Sequence, residues 1–199
     1  MKPFARMMEN VTAYRLWQAP FANQKLVPLR NNNDIGNVRA VLDVGCGPGT
    51  NTAVFRHADY MGLDADENYI RYARRRYGRK FFVLDVCHDA PLTQSKFDLI
   101  LLNSFLHHID DHNALNLLRR LKTLLTADGH IHILDLILPE KPGIPRTLAR
   151  CDRGNFPRPL KAWAQIFNES YETVILQPYT LTAFGITMWN MVYFKGKAK

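Results

Sequence analysis

The chain has no apolar run near the ~20 residues that a membrane-spanning helix needs, so no span is expected. Its first ten residues, MKPFARMMEN, lack the apolar stretch of a secretory signal, and a cytoplasmic protein is expected. Cysteine is scarce. Cys46, Cys87 and Cys151 are odd in number and far apart, which excludes a CxxC pair and a disulfide framework and suits a reducing compartment. No Gly-Lys-Ser/Thr of a phosphate-binding loop is present, and no metal is expected. Repeats and low-complexity tracts are absent as well. What remains is globular in character. With 47% hydrophobic residues, 199 residues suffice for one domain with a real core. The net charge of +8 fits either an anionic partner or simple solubility.

Strands and helices alternate along the chain. VRAVLDV (38–44), DYMGLD (59–64), KFFVLDV (80–86), FDLILLN (97–103) and HIHILDLIL (130–138) each read as a buried strand, short and apolar. DENYIRYARRRY predicts a helix capped by Asp66, with Tyr69, Ile70, Ala73 and Tyr77 as its apolar face. Between Asn113 and Leu125, leucines 117, 118, 121, 124 and 125 recur at helical spacing, and Asp128-Gly129 predicts a turn. Apolar strands alternating with helices imply a parallel sheet covered on both faces. The tail differs. YETVILQPYTL and GITMWNMVYFKG are joined by so short a link, Thr182-Ala183-Phe184, that only an antiparallel hairpin is possible. Glu9 to Leu29 reads as helical, broken at Pro20, and lies outside the sheet pattern.

The densest punctuation is VLDVGCGPGTNT, Val41 to Thr52. A strand that stops in Gly-x-Gly-x-Gly turns tightly and exposes backbone to a ligand, and a helix opening near Thr50 would aim N–H groups at it. A dinucleotide fingerprint would need its third glycine at position 50, where Thr50 stands. Nineteen residues after Gly45 comes Asp64, where a carboxylate can accept from both ribose hydroxyls. Asp85 ends the third strand and Asn103 the fourth. Glycines after a strand are often only a turn, and an Asp there only a cap. A polar residue at the carboxyl end of four successive strands is harder to reach by accident, and that edge is where open α/β sheets bind ligands.

At these residues the chain resembles the class I S-adenosylmethionine-dependent methyltransferases. Asp43-Val-Gly45-Cys-Gly47-Pro-Gly49 matches their motif D/E-x-G-x-G-x-G, and Asp64, Asp85-Val86 and FDLILLNSFLHHIDD match the later motifs, over roughly residues 38 to 138. The resemblance implies a Rossmann-like, mostly parallel seven-stranded sheet with helices on both faces and an antiparallel strand at its end. It also implies S-adenosyl-L-methionine as cofactor. Asp43, Gly45, Cys46, Gly47 and Gly49 would lie along its methionine part, Asp64 and Ala65 at the ribose, and Asp85 with Val86 at the adenine. Asn103 and Ser104 would face the methyl donor, and Tyr14 and Trp17 would form a lid or pack on the sheet edge.

The acceptor is less legible. A hydroxyl or amine acceptor needs a base, and His107 and His108 after the fourth strand are candidates, with a structural role equally open. The segment after the fifth strand carries Arg146, Arg150, Arg153, Arg158 and Lys161, and arginine forks suit carboxylate or phosphate. By contrast Arg71, Arg74, Arg75, Arg76, Arg79 and Lys80 read as the solvated face of an outer helix. A single domain is expected, with residues 1–37 as an N-terminal segment, 38–138 as the cofactor core and 139–199 as the acceptor side. The expected function is methyl transfer to a small anionic acceptor, on oxygen or nitrogen. RNA methylation and a cofactor-binding protein with lost chemistry are the alternatives; the chain has no N/D-P-P-Y-type amine motif after the fourth strand.

Overall fold

The computed structural model describes residues 21–89 and 93–199. Seven strands form one sheet in the order β3-β2-β1-β4-β5-β7-β6. They are β1 (Ala40–Val44), β2 (Asp59–Asp64), β3 (Lys80–Val83), β4 (Phe97–Asn103), β5 (Leu125–Leu136), β6 (Tyr171–Ala183) and β7 (Ile186–Ala198). β1 to β5 pair in parallel, and β7 joins β5 antiparallel, as the short link requires. Chain order reverses between β1 and β4, the switch point where ligands sit in such sheets.

Each central strand buries both faces, which is why the strands read as nearly unbroken apolar runs. Leu42, Ile100, Leu102, Ile131 and Ile133 pack beneath α3 (Asp111–Lys122) and α5 (Leu160–Ser170), through Leu117, Leu118, Leu121, Trp163 and Phe167. The alternating residues Val41, Leu99, Leu101 and Leu134 face Leu29 of α1 (Val27–Asn31), Phe55, and Ile70 and Ala73 of α2 (Glu67–Tyr77). Asp66 caps α2, accepting from the N–H groups of Asn68 and Tyr69. Asp110 caps α3 through Asn113 N–H, so that helix starts two residues earlier than its leucine pattern suggests. Among the described residues, no helix is long and apolar enough to cross a membrane.

Several expected boundaries move. No helix opens at Thr50: a four-residue 3-10 turn, Thr52–Phe55, is all that fits before β2 begins at Asp59. β3 ends at Val83, leaving Asp85 and Val86 in the turn beyond it. Asp128-Gly129 does not precede β5 but lies within it, as an irregularity where the register jumps from Phe97↔Leu125 to Leu99↔His130. The last hairpin turns on Phe184 and Gly185, with φ of 52° and 75°, the two positive angles that a type I′ turn needs. The N-terminal segment is helical over 21–25 and Val27–Asn31, while Tyr14 and Trp17 lie outside the described residues.

Candidate functional site

The glycine loop is tied to the end of β2 rather than to a helix. Gly45 and Cys46 N–H both donate to Leu63 O, and Gly47 N–H donates to Asp64 Oδ2 at 2.8 Å. Asp64 Oδ1 accepts from Asp66 N–H at 2.9 Å, so one carboxylate fixes both the loop and the entry to α2. Burial raises the Asp64 pKa, and those two N–H groups act against the rise. Gly45 (φ +68°) lies under the Phe105 ring, where a Cβ would stand 2.2 Å from Phe105 Cδ2. A Cβ at Gly47 (φ +54°) would meet nothing within 4 Å among the described residues. That open backbone is the surface a ligand would touch.

A cleft of about 210 Å³ opens beside this loop. Of the residues expected at the cofactor, Gly45, Asp64, Ala65, Asp85 and Val86 line it and Asp43, Gly47, Asn103 and Ser104 do not; Phe105 and Ile109, which were not singled out, line it too. Arg120 holds the far end by donating to Val86 O at 2.8 Å and to Asp89 O. Asp85 Oδ2 pairs with His88 Nδ1 at 2.8 Å, and that contact keeps the Asp85 pKa below its usual range. Cys46 points away from the cleft, buried against Gly62, and Gly49 backs onto the Tyr77 ring.

Asp43 and Asn103 are joined through a residue that was not singled out. Asn51 Nδ2 donates to Asp43 Oδ2 at 3.0 Å, and Asn51 Oδ1 accepts from Asn103 Nδ2 at 2.9 Å. Tyr60 OH also donates to Asp43 Oδ2. Asp43 is fully buried and its Oδ1 has no partner among the described residues. Burial pushes its pKa up to about 7 against the Tyr60 and Asn51 hydrogen bonds. An orphaned buried acceptor is costly, and a cationic donor would relieve it.

Ser104 has a left-handed backbone, φ +56°, and its N–H is held by Leu134 O at 2.7 Å. Its hydroxyl accepts from Lys25 Nζ at 2.9 Å, across 79 residues of sequence.

The two histidines differ sharply. His107 is buried with Nδ1 2.6 Å from Asp135 Oδ1 and Nε2 3.0 Å from Asp152 Oδ1. Burial works to lower its pKa, but the two carboxylates win and raise it to about 9. Both nitrogens are engaged by carboxylates that favour the imidazolium, an arrangement that suits a structural role. His108 stacks 4.2 Å from His107 and stays neutral; burial and that neighbouring charge push it down to about 3. His107, His108 and Asp152 bring three ligand-type atoms within 4.8 Å, but the His107 nitrogens are occupied by the carboxylates. Asp135 was legible as an anomaly, a carboxylate inside the apolar run HILDLIL.

Of the four arginines expected to meet an acceptor, the structure brings Arg153 to this edge. It engages Tyr69 and lies near enough to Asp64 and His108 to affect all three. Arg150 is exposed on α4 (Ile144–Cys151), and Arg146, in the first turn of that helix, donates to Pro139 O and Glu140 O in the loop before it. Arg158 turns inward. It is 5% exposed, sits 4.7 Å over Trp163, and donates to Asp111, Leu106 O, Phe156 O and Ile109 O. It braces the chain around His107 instead of facing an acceptor. In the outer basic run Arg71 pairs with Glu67, Arg74 donates to Phe81 O, Arg79 donates to Ala58 O and Lys80 pairs with Asp59, while Arg75 and Arg76 are exposed.

Comparison with known proteins points the same way. Residues 41–129 match a family model described as a methyltransferase domain. A trans-aconitate 2-methyltransferase from Rhizobium etli is 30% identical over 139 residues, 66% of this chain and 52% of the relative. The chain thus spans about half the length of the curated relatives it matches. Among solved structures, the plantazolicin methyltransferase BpumL in complex with SAH superposes with a TM-score of 0.71 at 16% identity, covering 99% of this chain and 91% of that one. The N-methyltransferase NodS from Bradyrhizobium japonicum, also with SAH, gives 0.71 at 16% identity, with 96% and 95% covered.

Proposed function

We propose, from the match of residues 41–129 to a methyltransferase domain and from the fold, that the chain is a class I methyltransferase that transfers the methyl group of S-adenosyl-L-methionine to a small anionic acceptor. The observation that carries the cofactor half is the Asp43–Gly47–Asp64 arrangement. Among the described residues, a buried carboxylate oxygen without a partner, a glycine with open space above its Cα and a second carboxylate lie at the carboxyl ends of the adjacent strands β1 and β2. These residues fit the cofactor: Asp64 would accept from the ribose hydroxyls, Asp43 Oδ1 would meet the cationic amino end, and Asp85 with Val86 would hold the adenine. When bound, the cofactor supplies a methyl group already activated on a sulfonium.

The protein's part is then alignment. Holding an acceptor in line can account for ~7–11 kcal/mol of barrier. His107 already holds its proton and His108 is a weak base, so these residues suit an acceptor that arrives as an anion. The Rhizobium etli relative is named for a small acid, trans-aconitate, which supports the same class.

Calorimetry with S-adenosylhomocysteine tests the cofactor half. Asp64→Asn keeps an acceptor for the Gly47 N–H but removes the charge. Loss of charge-assisted hydrogen bonds, ~1.5–3 kcal/mol each, should lower affinity at least tenfold. Unchanged affinity, or no binding by the wild type, would overturn the reading. Binding of RNA that weakens steeply with salt would move the acceptor to the polyanion class.

A further inference from the structure

We propose that Asn51 is a positioning residue, the bridge that keeps the Asp43 carboxylate charged and turned to receive the amino end of the cofactor. This rests on the methyltransferase reading above and adds to it a residue that acts through Asp43.

The bridge stands at the switch point of the sheet. β1 and β4 pair through Asp43↔Leu101 and Val44↔Leu102, so Asp43 and Asn103 lie at adjacent carboxyl ends. The chain leaves β1 through the glycine loop and returns at Asn51, which is buried. An asparagine that opens a helical turn ordinarily caps it. The 3-10 turn Thr52–Phe55 receives no such bond from Asn51. Both polar atoms of its side chain reach the strand ends instead, Nδ2 donating to Asp43 Oδ2 and Oδ1 accepting from Asn103 Nδ2. Tyr60 OH donates to that same Asp43 oxygen. Oδ1, without a partner among the described residues, is the oxygen left for an amino group.

The charge on Asp43 dictates how both amides turn. An ionised carboxylate only accepts, so Asn51 must present its NH2 to Asp43 and its oxygen to Asn103. Asn103 must then present its own NH2 to Asn51, which leaves its oxygen as an acceptor 3.4 Å from the Ser104 hydroxyl. Donors run one way along the strand ends, from Ser104 through Asn103 and Asn51 to Asp43. The ionisable neighbours of Asp43 are Tyr60 and Asp64 from β2 and Cys46 from the glycine loop. Burial does most to raise the Asp43 pKa and the Asp64 charge adds to the rise, while the Tyr60 and Asn51 hydrogen bonds oppose it. Of those two donors, Asn51 is the one joined to Asn103.

The test reads the affinity of the full chain for S-adenosylhomocysteine by calorimetry at pH 6 and pH 8.5. An Asp43 that loses one donor needs a higher pH to ionise, so affinity that depends on its charge is lost sooner as pH falls. Asn51→Leu should bind about tenfold more weakly than wild type at pH 6 and within about twofold of it at pH 8.5. Asn51→Asp keeps the shape but sets a second carboxylate beside the first, and should move the loss to higher pH still. It carries the test if Asn51→Leu does not fold. In an Asp43→Asn background, Asn51→Leu should change affinity by less than about twofold at either pH. A loss equal at both pH values, or one undiminished in Asp43→Asn, would make Asn51 a merely structural residue and overturn the proposal. Wild-type affinity in both variants would overturn it too, and leave the methyltransferase reading standing. A wild type that binds no S-adenosylhomocysteine would instead sink that reading, and the proposal with it.

Discussion

Titrating the protein from pH 6 to pH 10 should release the clamp around His107, and the size of the effect follows from its geometry. The ring donates from Nδ1 to Asp135 and from Nε2 to Asp152, wholly shielded from water. Its pKa rises from the ordinary 6.5 to about 9. A base held more tightly protonated in the folded than in the unfolded chain stabilises the fold in full below pH 6.5. That contribution declines as pH rises and is gone above about 9. At ~1.36 kcal/mol per tenfold the gap corresponds to about 3 kcal/mol. The depressed pKa of Asp152 reports the same contact and is not counted again. His107→Asn keeps a donor near the Nδ1 position and removes the titration. Lys25 and Asp43 also titrate in this range, so the informative quantity is the difference between wild type and variant in urea unfolding at each pH. The wild-type advantage should shrink by about 3 kcal/mol between pH 6.5 and 9. An NMR titration of the His107 ring should show a midpoint near 9. A ring that titrates near 6.5, or a stability difference flat across the window, would refute the clamp.

Two further outcomes are expected. Asp43 has its pKa pushed up to about 7 and one bare oxygen, so a cationic ligand group should favour its ionised form. Affinity for S-adenosylhomocysteine should then fall roughly tenfold per pH unit below about 7 in wild type and stay flat in Asp43→Asn, as read by calorimetry at pH 5 to 8. Arg158→Met should remove the donors for Leu106 O and Ile109 O, at ~1–3 kcal/mol for each buried acceptor left unpaired, and lower the thermal midpoint by several degrees. A midpoint within a degree of wild type would return Arg158 to the acceptor surface.

The sequence alone determined the elements whose causes are local. β2 and β4 were legible residue for residue, because apolar runs of six or seven residues closed by polar ones are strand length and too short for a helix of the usual size. The C-terminal hairpin followed from link length. The glycine loop and the acidic strand ends announced the cleft, because a ligand that touches backbone demands glycine and the switch point of the sheet fixes where it lies. Partners distant in sequence were not legible. Asn51 reads as a turn residue until Asp43 and Asn103 are placed on either side of it. His107 looks like a free base until Asp135 and Asp152, from two other segments, close on both its nitrogens. Arg158 and Arg153 belong to one basic loop. Yet folding buries the first against Trp163 and carries the second to Asp64, because burial depends on what the rest of the chain packs against. Lys25 gave no signal at all in sequence. Its reach to Ser104 depends on the segment before α1 being stapled to β6, a contact across 158 residues that only the tertiary structure supplies.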